Sequence, residues 1–271
     1  MARSRVRQSL FVSISAFMEL VYALTVRDLR TENKSAAIGI LMPAATILVA
    51  SLIFYWFMNF VGGRSAPIRT DAFTFIFAGF LSFFFHTRTL SAVTAAMSSE
   101  GLLRHKRATP FLLICVKAFG AGYKMSFAMI ILMLANYLFR DIWEMQNGLI
   151  FLYCLFLAWI GAVAIGVVFM AINRYFTWGS LIQITYLRLC FLTSGKFMVA
   201  SQTPAFMRDV MGWNPLFHVL DQLRGAMFLN YAARTTDLLY PIAVYSGLLV
   251  VALLVESYVR SNYSASHHPI G

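Results

Sequence analysis

Acidic residues are scarce in this chain: Asp and Glu number 11 among 271 residues, against 22 Lys and Arg, and charged residues of all kinds make up 12%. A soluble domain carries about twice that charged fraction, so a water-exposed globular surface is excluded. The few carboxylates form no paired site for acid–base chemistry. Cysteine is equally thin: Cys115, Cys154 and Cys190 lie far apart inside apolar segments, a pattern of packing thiols rather than of a disulfide framework or a metal centre. The five histidines are scattered, and no metal is assigned. A phosphate-cradling loop needs Gly-x-x-x-x-Gly-Lys-Ser/Thr, whereas the Gly195-Lys196 pair runs on into Phe197. ATP is not bound by that route. Nucleophile elbows and zinc-binding helices are missing too, so any energy for transport comes from elsewhere.

What the chain does have is apolar sequence, 60% of its residues with a mean hydropathy of +0.72. That composition predicts an all-α, polytopic membrane protein. Six spans are expected at about 36–60, 72–97, 119–139, 148–172, 179–200 and 238–258, forming one membrane domain over 1–271. Ahead of them, residues 9–30 carry Leu10, Ile14, Phe17, Val21 and Leu24 as one apolar stripe, the mark of an interfacial helix along the inner leaflet. The basic start at Arg3, Arg5 and Arg7 leads into a segment interrupted by Glu19, which argues against a secretory signal.

The cations test this topology. Arg3, Arg5, Arg7, Arg27, Arg30, Lys34, Arg104, Lys106, Arg107, Arg174 and Arg260 fall on the proposed inner side. Arg64, Arg69, Arg140, Arg208, Arg224 and Arg234 fall outside. The bias places both termini in the cytoplasm and accounts for the net charge of +11 without a nucleic-acid partner.

Between the fifth and sixth spans, residues 201–237 hold the stretch Trp213 to Tyr231. Asn214 is a good N-cap and Pro215 suits the first helical position. Leu216, Val219, Leu220, Leu223, Met227 and Phe228 then recur at helical spacing, with Asp221 and Arg224 three apart and able to pair on the other side. The result is an amphipathic half-length helix that dips into the membrane and returns. Such re-entrant elements belong to transport pathways, where protein or water covers the non-helical backbone.

Three stretches carry a resemblance. Arg27-Asp28-Leu29-Arg30-Thr31 precedes a first span with Gly39 and Pro43; Glu100-Gly101-Leu102-Leu103 opens a basic loop; and Trp213-Asn214-Pro215-Leu216 with His218, Val219, Arg224 and Tyr231 stands before the last span. Together they resemble the membrane subunits of ABC-2 type exporters, specifically permeases for capsular polysaccharide and related lipid-linked glycans in bacteria. The likeness covers about residues 19 to 262. One departure is that Met42 stands where an acidic residue commonly precedes the proline.

The resemblance implies a permease subunit of the inner membrane that works as a pair, each copy bound to a cytoplasmic ATP-binding cassette subunit. ATP and Mg would sit on that partner, and this chain would bind no cofactor and catalyse nothing itself. Lipid-linked polysaccharide would be the cargo, with periplasmic or outer-membrane proteins as further partners. Coupling to the ATPase would run through Glu100, Leu102, Leu103, Arg104, Lys106 and Arg107. Trp213, Asn214, Pro215, His218, Asp221 and Arg224 would form the gate.

A cation at mid-bilayer is costly and usually faces a cavity or a partner, so Arg88 and Arg188 are the candidates for meeting a lipid phosphate or acidic sugar. Tyr55, Trp56, Phe84 and Tyr186 are the aromatic candidates for the same path, while Lys117, Lys124 and Lys196 are expected at the interface. Two alternatives stand beside this reading: an ABC-2 permease for another lipid or drug, and an integral-membrane enzyme that modifies glycans or lipids.

Overall fold

The computed structural model describes residues 10–32, 35–60, 71–98, 109–140 and 145–265. Among them are nine α-helices and two short 3₁₀ turns. The helices are α1 (Leu10–Glu32), α2 (Ala36–Phe60), α3 (Ala72–Thr94), α4 (Pro110–Arg140), α5 (Gly148–Tyr175), α6 (Gly179–Thr193), α7 (Ala205–Gly212), α8 (Pro215–Met227) and α9 (Leu239–Ala265). Five of them, α2, α3, α4, α5 and α9, are long and apolar enough to cross a membrane.

Side-chain caps set several of the starts. The Asp71 carboxylate accepts from the Thr74 amide at 2.8 Å to open α3, and Asn147 does the same for Ile150 at 3.1 Å to open α5. At the head of α4 the Leu112 amide donates to Thr109 Oγ1 at 3.3 Å, with Pro110 in the first turn. This helix therefore begins nine residues before the expected start of the third span at 119.

The larger difference concerns the fifth span. In place of one helix over 179–200, α6 stops at Thr193 after 15 residues, roughly 22 Å of rise against a hydrocarbon core of about 30 Å. The chain then reverses through Ser194 and Gly195.

Burial divides the bundle into a centre and a rim. In α3, 78% of the most apolar window is buried, against 22% in α2 and in α9, so α3 is the mast around which α2, α4 and α5 stand. Helix α5 lies between α3 and α9 and also carries α8. Its small residues allow the close approach: a Cβ on Gly166 would meet Val93 and the Leu90 carbonyl, and one on Gly161 would meet the Tyr245 ring. Association of helices in lipid rests on such small-residue packing rather than on a hydrophobic driving force. His86, fully buried on α3, adds a bond from Nδ1 to the Ala158 carbonyl at 2.8 Å.

Helix α1 is docked rather than free. Phe17, Val21 and Leu24 of the expected stripe pack into a cluster with Leu112, Leu113 and Val116 of α4, whereas Ile14 is 59% exposed. Lys117 donates to Asp28 at 2.9 Å and ties α4 to α1.

Candidate functional site

The break after α6 turns on Gly195, whose φ of +65° lies in the left-handed region that favours glycine. Beyond it the chain leaves the helical ladder and its carbonyls need partners elsewhere. Arg224 of α8 supplies them. Its Nη1 donates to Gly195 at 2.9 Å and to Met198 at 3.0 Å, and its Nη2 donates to the Lys196 carbonyl. The guanidinium also lies over the Phe75 ring of α3, 4.0 Å from its centroid. A Cβ on Gly79 would collide with both Arg224 Nη2 and the Lys196 carbonyl, so α3 approaches this clamp only through a glycine.

Helix α8 is held to the broken end from its own start. Asn214 caps it by accepting from the Leu216 amide at 3.0 Å, and donates from Nδ2 to Thr193 Oγ1 at 2.8 Å. Pro215 occupies the first turn. The apolar positions Leu216, Val219, Leu220, Leu223 and Met227 are all buried, as their spacing predicts. Asp221 and Arg224 are buried as well, at 3% and 1% exposure, and no ion pair joins them. The carboxylate accepts from the Tyr231 hydroxyl and from Thr236 Oγ1, while the guanidinium turns to the α6 break. The expected Asp221–Arg224 pair is thus replaced by two separate anchors, because each side chain meets a different non-helical segment.

His218 and Trp213 lie at the edge of the same unit. His218 Nε2 stands 2.8 Å from the Gly212 carbonyl, and its Nδ1 accepts from the Asp237 amide at 3.3 Å. The tautomer that carries its hydrogen on Nε2 satisfies both bonds. Trp213 is 60% exposed, and its carbonyl accepts from the Tyr240 hydroxyl at 2.6 Å.

Lys196 departs furthest from expectation. It is not interfacial but fully buried, with Nζ 4.0 Å from the Phe83 ring centroid and 4.4 Å from that of Phe197. It also donates to the Phe191 carbonyl. The reversal at Gly195 turns its stem inward, and aromatic faces attract the ammonium in place of water. Sequence reading missed Gly79, Gly195 and this aromatic cage. Gly195, following the polar Thr193 and Ser194, was the available signal for the break.

Beside the break, a groove of about 530 Å³ runs between α3 and α6. Arg88 enters it from α3 and Arg188 from α6, with Phe83, Phe84, Thr87 and Phe191 among its walls, and among the described residues no carboxylate lines it. Among the described residues neither arginine has an ion-pair or hydrogen-bond partner; Arg88 lies 5.8 Å from the Phe84 ring centroid. Arg88 and Ser91 also line a second groove, toward α2 and α4, that holds Lys124.

Of the aromatic candidates, only Phe84 lines the α3–α6 groove. Tyr186 packs on Phe169 at 5.2 Å, Tyr55 sits edge-on to Phe73, and Trp56 is 71% exposed on α2. Glu100, Leu102, Leu103, Arg104, Lys106 and Arg107 lie outside the described residues. Among the described residues no three His, Cys, Asp or Glu side chains gather to hold a metal ion.

Membrane-length helices around a central mast, with a broken helix pinned by a buried arginine, define a multi-pass membrane protein. The chain belongs to the ABC-2 type transporter family, whose profile matches residues 19–228, and is the membrane part of such a transporter. It is similar to two Escherichia coli proteins named polysialic acid transport protein KpsM. One is 25% identical over 225 residues, covering 81% of this chain and 85% of the relative. The other is 23% identical over 221 residues, with the same coverage.

Proposed function

We propose that this chain is the permease subunit of an ATP-driven exporter that moves lipid-linked, capsular-type polysaccharide across the bacterial inner membrane. Two copies act together, each on a cytoplasmic ATP-binding cassette subunit that holds ATP and Mg, and both termini are cytoplasmic. The chain is one membrane domain with six crossings. Helix α6 with the loop beyond it is the fifth, and α7 and α8 are the re-entrant unit before α9.

One observation carries the cargo reading: Arg88 and Arg188, from helices far apart in sequence, share a groove that among the described residues holds no carboxylate. Two unpartnered cations among aromatic walls suit a lipid phosphate or an acidic sugar, since bonds to charged groups are the strong ones. The polysialic acid transport relatives support an anionic glycan. The cage at Lys196 and the clamp at Arg224 then hold the wall of the path, with the Trp213–Arg224 segment as its outer gate.

Gentle solubilisation from native membranes, followed by purification through a tag, tests the assignment. The expected result is a roughly equimolar P-loop ATPase whose turnover depends on this subunit. Absence of any ATPase, under conditions that keep a known exporter intact, overturns it.

A further inference from the structure

We propose that the slot between α1, α2 and α4 is a binding site for one anionic phospholipid per chain, separate from the Arg88–Arg188 groove. The slot has a volume of about 450 Å³, within the range of ligand pockets. Along α1 its wall runs from Met18 to Arg30, about 18 Å of helix, apolar at first and cationic at the end. Lys124 of α4 adds a second cation, and among the described residues no carboxylate lines the slot. The Asp28 carboxylate of α1 is engaged by Lys117 at 2.9 Å.

An independent mark of a ligand is Thr25. It lines the slot, is 9% exposed, and its hydroxyl has no hydrogen-bond partner. Buried threonines elsewhere, Thr87, Thr89 and Thr94, each donate to the carbonyl four residues back. Thr25 does not. Its methyl is the part near α4, 3.6 Å from where a Cβ on Gly120 would stand. Buried polar groups are nearly always paired, so an orphan hydroxyl between an apolar wall and two cations fits a glycerol-ester oxygen.

A phospholipid matches all three features. Its acyl chain covers the apolar wall, its ester region meets Thr25, and its phosphate meets Arg30 and Lys124. A free phosphate leaves the apolar wall bare, and a zwitterionic lipid brings an ammonium toward two cations. Phosphatidylglycerol is therefore favoured over phosphatidylcholine.

Native mass spectrometry tests this on the full chain, purified with whatever subunits it retains and equilibrated with equal amounts of those two lipids. One phosphatidylglycerol per chain is expected to survive activation. Its retention should fall at least tenfold in Arg30→Gln/Lys124→Gln and several-fold in the isosteric Thr25→Val, with size-exclusion profiles unchanged. Equal retention of phosphatidylcholine, or undiminished phosphatidylglycerol in the double variant, overturns the site. If the double variant does not fold, Thr25→Val decides alone, because removing one hydroxyl leaves the packing intact. Binding is read without any transport assay, so it stands or falls separately from the export reading.

Discussion

Arg224 donates a 2.9 Å hydrogen bond to the carbonyl of Gly195 across 29 residues of sequence, closing the one place where α6 gives up its helical ladder. The arginine acts on backbone, not on its helical neighbour Asp221, and this changes what its removal should do.

Arg224→Ala strands three carbonyls in a buried site. The expected loss is about 1–3 kcal/mol for each carbonyl left unpaired. Thermal unfolding in detergent reads it, and lowered export should follow the loss of folded protein. Arg224→Lys should recover only part, since an ammonium lacks the planar fork. A wild-type midpoint in Arg224→Ala would sink the clamp.

The two glycines at the clamp should be intolerant in different ways. Gly195→Ala places a side chain in the left-handed region, costing about 1–2 kcal/mol, and its Cβ would stand 2.5 Å from Phe217 Cδ2. Gly79→Ala meets both Arg224 and the Lys196 carbonyl, so its loss should be larger and should couple to Arg224→Ala. A double-mutant cycle with strictly additive losses would show that the two positions do not meet.

For the groove, Arg88→Gln and Arg188→Gln should each lower export on the order of tenfold, as a lost charge-assisted bond of about 1.5–3 kcal/mol implies. Chain levels in the membrane should hold, because removing a cation eases insertion. Surface polysaccharide per unit of permease is the measurement. Normal export in the double variant would reject the groove as the anionic path.

The Asp28–Lys117 pair predicts a rescue. Both side chains are mostly buried, at 11% and 14% exposure, so Asp28→Asn should loosen α1 at a cost of about 1–3 kcal/mol. Faster proteolysis within α1 reports it. The exchanged pair, Asp28→Lys with Lys117→Asp, should restore protection beyond either single change; failure to do so means that the pair does not anchor α1.

The pattern in what was legible follows from the physics. Long clean apolar runs with capping residues at their edges, such as Gly148–Tyr175 behind Asn147, have ends that hydropathy and caps both mark. The start of α4 was readable from Thr109-Pro110, by the same rule that places α8 at Asn214-Pro215, but hydropathy near Lys117 pointed further on. The end of α6 was hidden because Phe197, Met198, Val199 and Ala200 continue the apolar run past a conformational stop. Arg88 and Arg188 were each visible as intramembrane cations, but their convergence is tertiary. Arg224 looked like half of an ion pair because periodicity reveals side-chain neighbours on one helix. Its actual acceptors are carbonyls, which carry no residue signature.

In the proposed topology the helical part of the fifth crossing, the 15 residues of α6, falls roughly 8 Å short of a bilayer core of about 30 Å. Lipid next to a short apolar segment thins to meet it, or polar headgroups sink toward it, at a modest penalty per ångström. The low-dielectric slab would then be narrowest beside the wall that carries Arg188. On the proposed export path a charged headgroup would cross less hydrocarbon there than beside the membrane-length helices, and the chain would lower that barrier by deforming its own solvent.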